Sequence, residues 1–215
     1  MTLRSISLIL LALSSVACRK PEPRRQEVEK PRQPEIVQPA AKKPTFVESA
    51  QVASLIDPAK LATLKSRGSN PRIFKITAIL YAAKTSGKNP ETIVNGAVTQ
   101  IGWENTDKGR LTADAILRNL EILEKLGSTT PEDLAELKKG RSPTVRTGPS
   151  TGDIVSVDHI IPRAIVPELD NVIANLELMP LRANQSKGDS IGPKQRDLAR
   201  QLHGAGLLKN PEVTN

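Results

Sequence analysis

Four times between residues 45 and 140 the chain sets a short polar side chain directly before a proline: Asp57-Pro58, Asn70-Pro71, Asn89-Pro90 and Thr130-Pro131. That pairing constrains the fold more than any other feature. Proline fixes φ near the helical value and lacks only an N–H that a first helical turn leaves unused, while the preceding oxygen can accept from an orphan backbone donor. Gly68, Gly87 and Gly140 mark stops. Between these signals Ile73, Ile76 and Leu80 share one helical face, as do Ile93, Ala97 and Ile101; Ile116, Leu120 and Leu123 repeat the spacing in a segment closed by Gly127. Residues 45–140 are therefore expected to form a bundle of short helices, each burying one stripe. There is no internal repeat beyond this shared punctuation, and no heptad run long enough for a coiled coil.

After Lys139 the pattern changes. Lys139 to Gly152 is rich in Gly, Pro, Ser and Thr and reads as a loop. Asp153 to Ile161 is a short β-branched strand, Leu176 to Met179 a returning strand, Leu181 to Lys187 a helix, and Pro193 to Gly204 a further amphipathic helix with Leu198 and Leu202 on one side. About 170 residues from Thr45 onward suffice for one domain of ordinary size. The expected class is α+β, a helical N-terminal part (45–140) followed by a strand-strand-helix element within 141–215.

That second half carries the chemistry. Val157-Asp158-His159-Ile160-Ile161-Pro162 is followed by Asn175-Leu176-Glu177-Leu178-Met179-Pro180 and then by Asn184-Gln185-Ser186-Lys187. A lone Asp-His pair is more often structural than functional. The ordered set is far more specific, and it resembles the HNH (ββα-metal) nuclease motif. The resemblance implies that His159 is the general base, Asp158 a metal ligand, Asn184 a second ligand on the helix after the hairpin, and Asn175 the residue that ties the loop between the strands and orients the base. An imidazole suits a base because it is largely neutral at physiological pH yet accepts a proton readily. Neighbouring side chains on a strand point to opposite faces, so Asp158 and His159 can share a site only where the strand twists or ends, and Pro162 stops it soon afterwards.

Asp158 and Asn184 offer oxygen only, which favours magnesium or manganese retaining waters and binding substrate phosphate. The single cysteine, Cys18, lies far from the motif and excludes a structural zinc built from thiolates. Asparagine stands where colicin-like versions of the motif carry histidine, which argues against nickel or zinc catalysis. Arg163, Arg182, Lys187 and Arg146 are the expected phosphate contacts, with the 141–148 loop expected to line the substrate groove. His203 is read as an ordinary histidine at a helix C-terminus. With one Trp, one Tyr and two Phe the chain lacks a base-stacking platform, so contact through phosphates and low sequence specificity are expected, with DNA ahead of RNA as the nucleic-acid partner. No protein partner is deducible.

The N-terminus sets the compartment. Met1-Thr2-Leu3-Arg4, an apolar run from Ile6 to Leu13 and the small residues Ser14-Ser15-Val16-Ala17 before Cys18 look like a bacterial signal peptide over 1–17, too short to span a bilayer. Because the small residues end at the only cysteine, the segment resembles a lipoprotein signal with Cys18 acylated, although Ser15 stands where an aliphatic residue is usual. The expectation is a lipid anchor on a membrane of the bacterial cell envelope, outside the cytoplasm; the alternative is a secreted or periplasmic soluble protein. Residues 18–44 form a Pro-rich charged linker, with eight basic residues against four acidic ones between Arg19 and Pro44, half of the net charge of +8. The remainder is only mildly basic. Two functions follow: a metal-dependent endonuclease hydrolysing phosphodiesters, or a non-catalytic envelope lipoprotein using the same element as a binding module.

Overall fold

The computed structural model describes residues 46–213; the signal segment, Cys18 and the linker lie outside the described residues. Six helices come first: α1 (Val47–Ile56), α2 (Pro58–Ala62), α3 (Asn70–Thr85), α4 (Pro90–Gln100), α5 (Asp107–Lys125) and α6 (Pro131–Lys139). Two strands, β1 (Val155–His159) and β2 (Leu176–Pro180), then pair antiparallel and lead into α7 (Leu181–Lys187) and α8 (Pro193–Gly204). The class is mixed: helices plus one small two-stranded sheet. No helix among the described residues is long and apolar enough to cross a membrane.

The caps act as the sequence dictates at three of the four prolines. Asp57 accepts from Ala59 N at 3.0 Å, Asn89 from Glu91 N at 2.8 Å, and Thr130 from Asp133 N at 3.3 Å. The fourth differs. Asn70 lies inside α3, and Ser69 is the cap, without a side-chain cap bond. Ser69 is buried, and its polar groups are spent elsewhere: N donates to Asn171 Oδ1 at 3.1 Å and Oγ to the Asp170 carbonyl at 3.4 Å. The segment ending at Gly68 thus runs as turns rather than as an extension of α2, because it is latched to the connection between the strands. α1 was not foreseen, since no Xaa-Pro signal opens it.

α5 is the central helix. Thr106 caps it through Gly109 N at 3.1 Å, and Gly109 has to be glycine, because a Cβ there would stand 2.2 Å from the Trp103 carbonyl oxygen. Its buried face (Ala113, Ile116, Leu120, Leu123) joins Ile56, Ile73, Ile76, Leu80, Ile93 and Leu137 in one apolar core. The hairpin is part of that core, since Val155, Val157, Leu176 and Leu178 belong to the same cluster. Each such side chain fully removed from water contributes about 1.5–3 kcal/mol before the entropic cost of ordering. A second cluster of Leu111, Ile161, Leu169, Ala174, Ala199, Leu202, Leu208 and Val213 packs α8 and the C-terminal segment beside the connection between the strands.

The register pairs Ser156 with Met179, Asp158 with Glu177 and His159 with Leu176. Directly opposed residues share a face. One face of the hairpin is therefore the apolar one just described, which His159 joins opposite Leu176, and the other presents Ser156, Asp158, Glu177 and Met179, so Asp158 and His159 leave the strand on opposite faces at its end. β1 is shorter than the expected Asp153–Ile161 at both ends. Asp153 turns its carboxylate onto Ile154 N and Arg182 N, each at 2.9 Å, and beyond His159 the chain leaves the ladder for Asn175.

Candidate active site

The end of β1 is built around Asn175. Ile160 N donates to the Asn175 carbonyl at 2.8 Å, Ile161 N to its Oδ1 at 2.8 Å, and its Nδ2 donates to the Ile161 carbonyl at 3.0 Å. A side chain thus closes the ladder where backbone pairing stops. Asn175 and Ile161 are fully buried, so none of these groups has water to fall back on. The far edge of β2 is closed the same way: Asn119 of α5 donates to the Leu176 carbonyl at 3.0 Å and accepts from Leu178 N at 2.7 Å.

α7 runs alongside β1. Leu181 N bonds the Ile154 carbonyl at 2.9 Å, Asn184 Nδ2 donates to Ser156 Oγ at 3.1 Å, and Lys187 reaches Asp158. The three-residue steps keep all three on one helical face. Lys187 Nζ lies 3.1 Å from Asp158 Oδ1, 2.8 Å from Oδ2 and 2.7 Å from the His159 carbonyl. Burial pushes the Asp158 carboxyl above its usual range; the Lys187 ammonium works against that rise, and Glu177 across the strand adds to it. Glu177 has cations of its own, Lys194 Nζ at 3.0 Å and Arg118 Nε at 3.3 Å.

His159 is nearly buried. Its Nε2 lies 3.0 Å from the Asp170 carbonyl and 3.1 Å from Asp170 Oδ1. An Nε2–H donating to the Asp170 carbonyl leaves the lone pair on Nδ1, while Asp170 Oδ1, though close, has no aligned hydrogen bond. Asp170 is itself held, since its Oδ2 accepts from Arg67 N at 3.1 Å, and its neighbour Asn171 donates to the Leu64 carbonyl at 3.2 Å. The turn before α3 therefore fixes the residue that fixes the imidazole.

No group of three or more His, Cys, Asp and Glu side chains among the described residues is placed to hold a metal. The donors available are the Asp158 carboxylate and the Asn184 amide oxygen, both hard. Asp158 Oδ2 is buried and has no aligned hydrogen bond, despite its nearness to Lys187. A buried carboxylate oxygen whose one close neighbour is a lysine ammonium, with an amide on the adjoining helix whose Nδ2 is spent on Ser156 Oγ and whose oxygen is left to accept, fits a magnesium or manganese ion that keeps several waters.

The basic residues separate. Lys187 sits on Asp158. Arg163 flanks the His159 side, with Nη1 on Ser66 Oγ and Nε 3.9 Å from Asp170 Oδ1. Arg182 is exposed at the start of α7, at the opposite end of β1. Arg146 is not part of this cluster: its Nε and Nη2 are held by Asp133 at 2.9 and 3.0 Å, and its N bonds the Leu126 carbonyl. The expected groove-wall loop is instead tied to α6 and the turn after α5, because a buried carboxylate there needs its charge. His203 stands in the last turn of α8, as expected of a C-terminal histidine. A groove of about 850 Å³ between α4 and α5 is lined by Glu91, Glu104, Asp107 and Asp114 against Arg110, a poor host for a polyanion.

Asp170, Glu177, Asn119 and Arg118 were missed from sequence. Asn119 alone left a signal, a polar residue on the face defined by Ile116, Leu120 and Leu123. Comparison with family models, curated proteins and solved structures finds no match to this chain.

Proposed function

We propose that this protein is a metal-dependent nucleic-acid endonuclease of the HNH type, cutting phosphodiester bonds with low sequence specificity. The single observation that supports the reading is the arrangement around β1: Asn175 clamps the turn after His159 through Ile160 and Ile161, while α7 lays Asn184 on Ser156 and Lys187 on Asp158. In this reading Asp158 and Asn184 hold magnesium or manganese, and the ion, when bound, neutralises charge that builds on the phosphate. His159, kept in one tautomer by Asp170, takes the proton of the attacking water on Nδ1. Asn175 holds the imidazole's backbone so that no rearrangement precedes the transfer. Arg163, Arg182 and Lys187 supply cations to the flanking phosphates. DNA is proposed ahead of RNA, and an envelope location through acylated Cys18 remains part of the proposal.

The non-catalytic binding module has one observation on its side: Lys187 already neutralises Asp158, so the carboxylate is not without a cation. Incubation of supercoiled plasmid with the purified protein in magnesium, manganese or EDTA separates the two readings. Nicked and linear products that EDTA abolishes are expected; intact plasmid in every buffer contradicts the nuclease.

A further inference from the structure

We infer that Lys187 is a built-in cation that occupies the metal position of Asp158 and must be displaced when a divalent ion binds, so that it sets the metal concentration at which the site becomes competent. The inference rests on the ligand assignment proposed above and adds a competitor to it. Lys187 Nζ touches both carboxylate oxygens of Asp158 and also the His159 carbonyl, at 2.8, 3.1 and 2.7 Å. It is the one side chain that ion-pairs with Asp158 among the described residues, since the nearby Lys194 and Arg118 are taken by Glu177. Asn184 lies one turn earlier on the same helix, so an ion shared by Asp158 and Asn184 would have to enter the space that the ammonium fills. A dication and an ammonium at such distances from one carboxylate repel strongly, and they would be held apart by moving the more mobile of the two.

Lys187 can move. It is the last residue of α7, followed by Gly188 at φ +56°, and its four-carbon stem can swing away at the cost of the ion pair to Asp158 and the bond to the His159 carbonyl. Displaced from Asp158, the ammonium stays on the site's rim, where a substrate phosphate is an alternative partner. Metal binding thereby converts a structural ion pair into a free cation for the substrate.

Manganese titration of the full chain, followed by calorimetry, tests this. Lys187→Met should bind Mn²⁺ about ten-fold or more tightly than wild type, a coupling of ordinary size, and Lys187→Arg should keep the weak wild-type affinity. A second arm needs no variant: acetylation of Lys187 by an N-hydroxysuccinimide ester, read by mass spectrometry, should quicken in wild type when Mn²⁺ is added. Unchanged or weaker Mn²⁺ affinity in Lys187→Met, or labelling indifferent to Mn²⁺ while wild type binds the ion, overturns the competitor and leaves the ligands standing. Absence of Mn²⁺ binding in wild type and in Lys187→Met alike overturns the ligand assignment itself, and the competitor with it.

Discussion

Replacing Asn175 by alanine removes the partners that two buried backbone groups have among the described residues. The Ile161 N–H and C=O bond Oδ1 and Nδ2 at 2.8 and 3.0 Å, and both residues are fully buried. Leaving a buried donor or acceptor unsatisfied costs about 1–3 kcal/mol, so the pair together should cost about 3 kcal/mol or more. For a domain of this size each kcal/mol lowers Tm by about 2–4 °C, giving a drop of about 6–12 °C. Asn175→Asp should fare little better, because it keeps an acceptor for Ile161 N but points a second oxygen at the Ile161 carbonyl. Urea unfolding followed by circular dichroism, with Trp103 fluorescence as a second probe, measures the loss. Mn²⁺ affinity, read separately below the unfolding transition, should barely change, since Asn175 touches neither Asp158 nor Asn184. A loss under about 1 kcal/mol would mean that the clamp is not what holds the end of β1.

Other outcomes follow from the same contacts. Burial raises the Asp133 carboxyl, but the Arg146 guanidinium, Thr144 N–H and Thr130 hydroxyl outweigh it and hold the group below the usual carboxylate range. A pKa depressed on folding gives stability that is present above the unfolded value and lost as pH falls through the folded one, so Asp133→Asn should flatten the stability decline below about pH 4; an acid limb identical to wild type contradicts this. Asp158 has the opposite sign: its carboxyl is raised by burial, so the folded state gains stability as the group is protonated. Asp158→Asn should therefore raise Tm at neutral pH, by about 2–4 °C for each kcal/mol recovered, while losing Mn²⁺ binding; a lower Tm would show that Lys187 more than offsets the burial. Cys18→Ser should abolish incorporation of labelled fatty acid and release the protein from membranes, whereas a wild type that takes up no label would speak for plain secretion.

The helices were legible because their ends are written locally. A capping oxygen, a proline and a glycine each act within one turn, and the apolar stripes of α3, α4 and α5 follow from spacing alone. Where a cap is diverted to a distant partner the local reading slips by a residue, as at Asn70, because Ser69 is claimed by Asp170 and Asn171. The order of the hairpin and α7 was also legible, with Asn184 on that helix; that Lys187 pairs with Asp158 was not. What could not be read were contacts that span the chain. Asp170 on His159 depends on the turn at Arg67, about a hundred residues earlier, and Asn119 on β2 depends on how α5 crosses the sheet. Arg146 misled because its buried partner, Asp133, sits in a helix whose inward face only the packing defines.

The central claim is that His159 moves a proton in phosphodiester cleavage. Wild type and His159→Ala should be compared on supercoiled plasmid in magnesium, with EDTA controls and matched circular dichroism spectra. The predicted result is EDTA-sensitive cleavage by wild type and a rate about 10²–10⁴-fold lower in the variant, the range expected for a lost general base. Cleavage by His159→Ala at the wild-type rate, or no EDTA-sensitive cleavage by the wild type, would contradict the account.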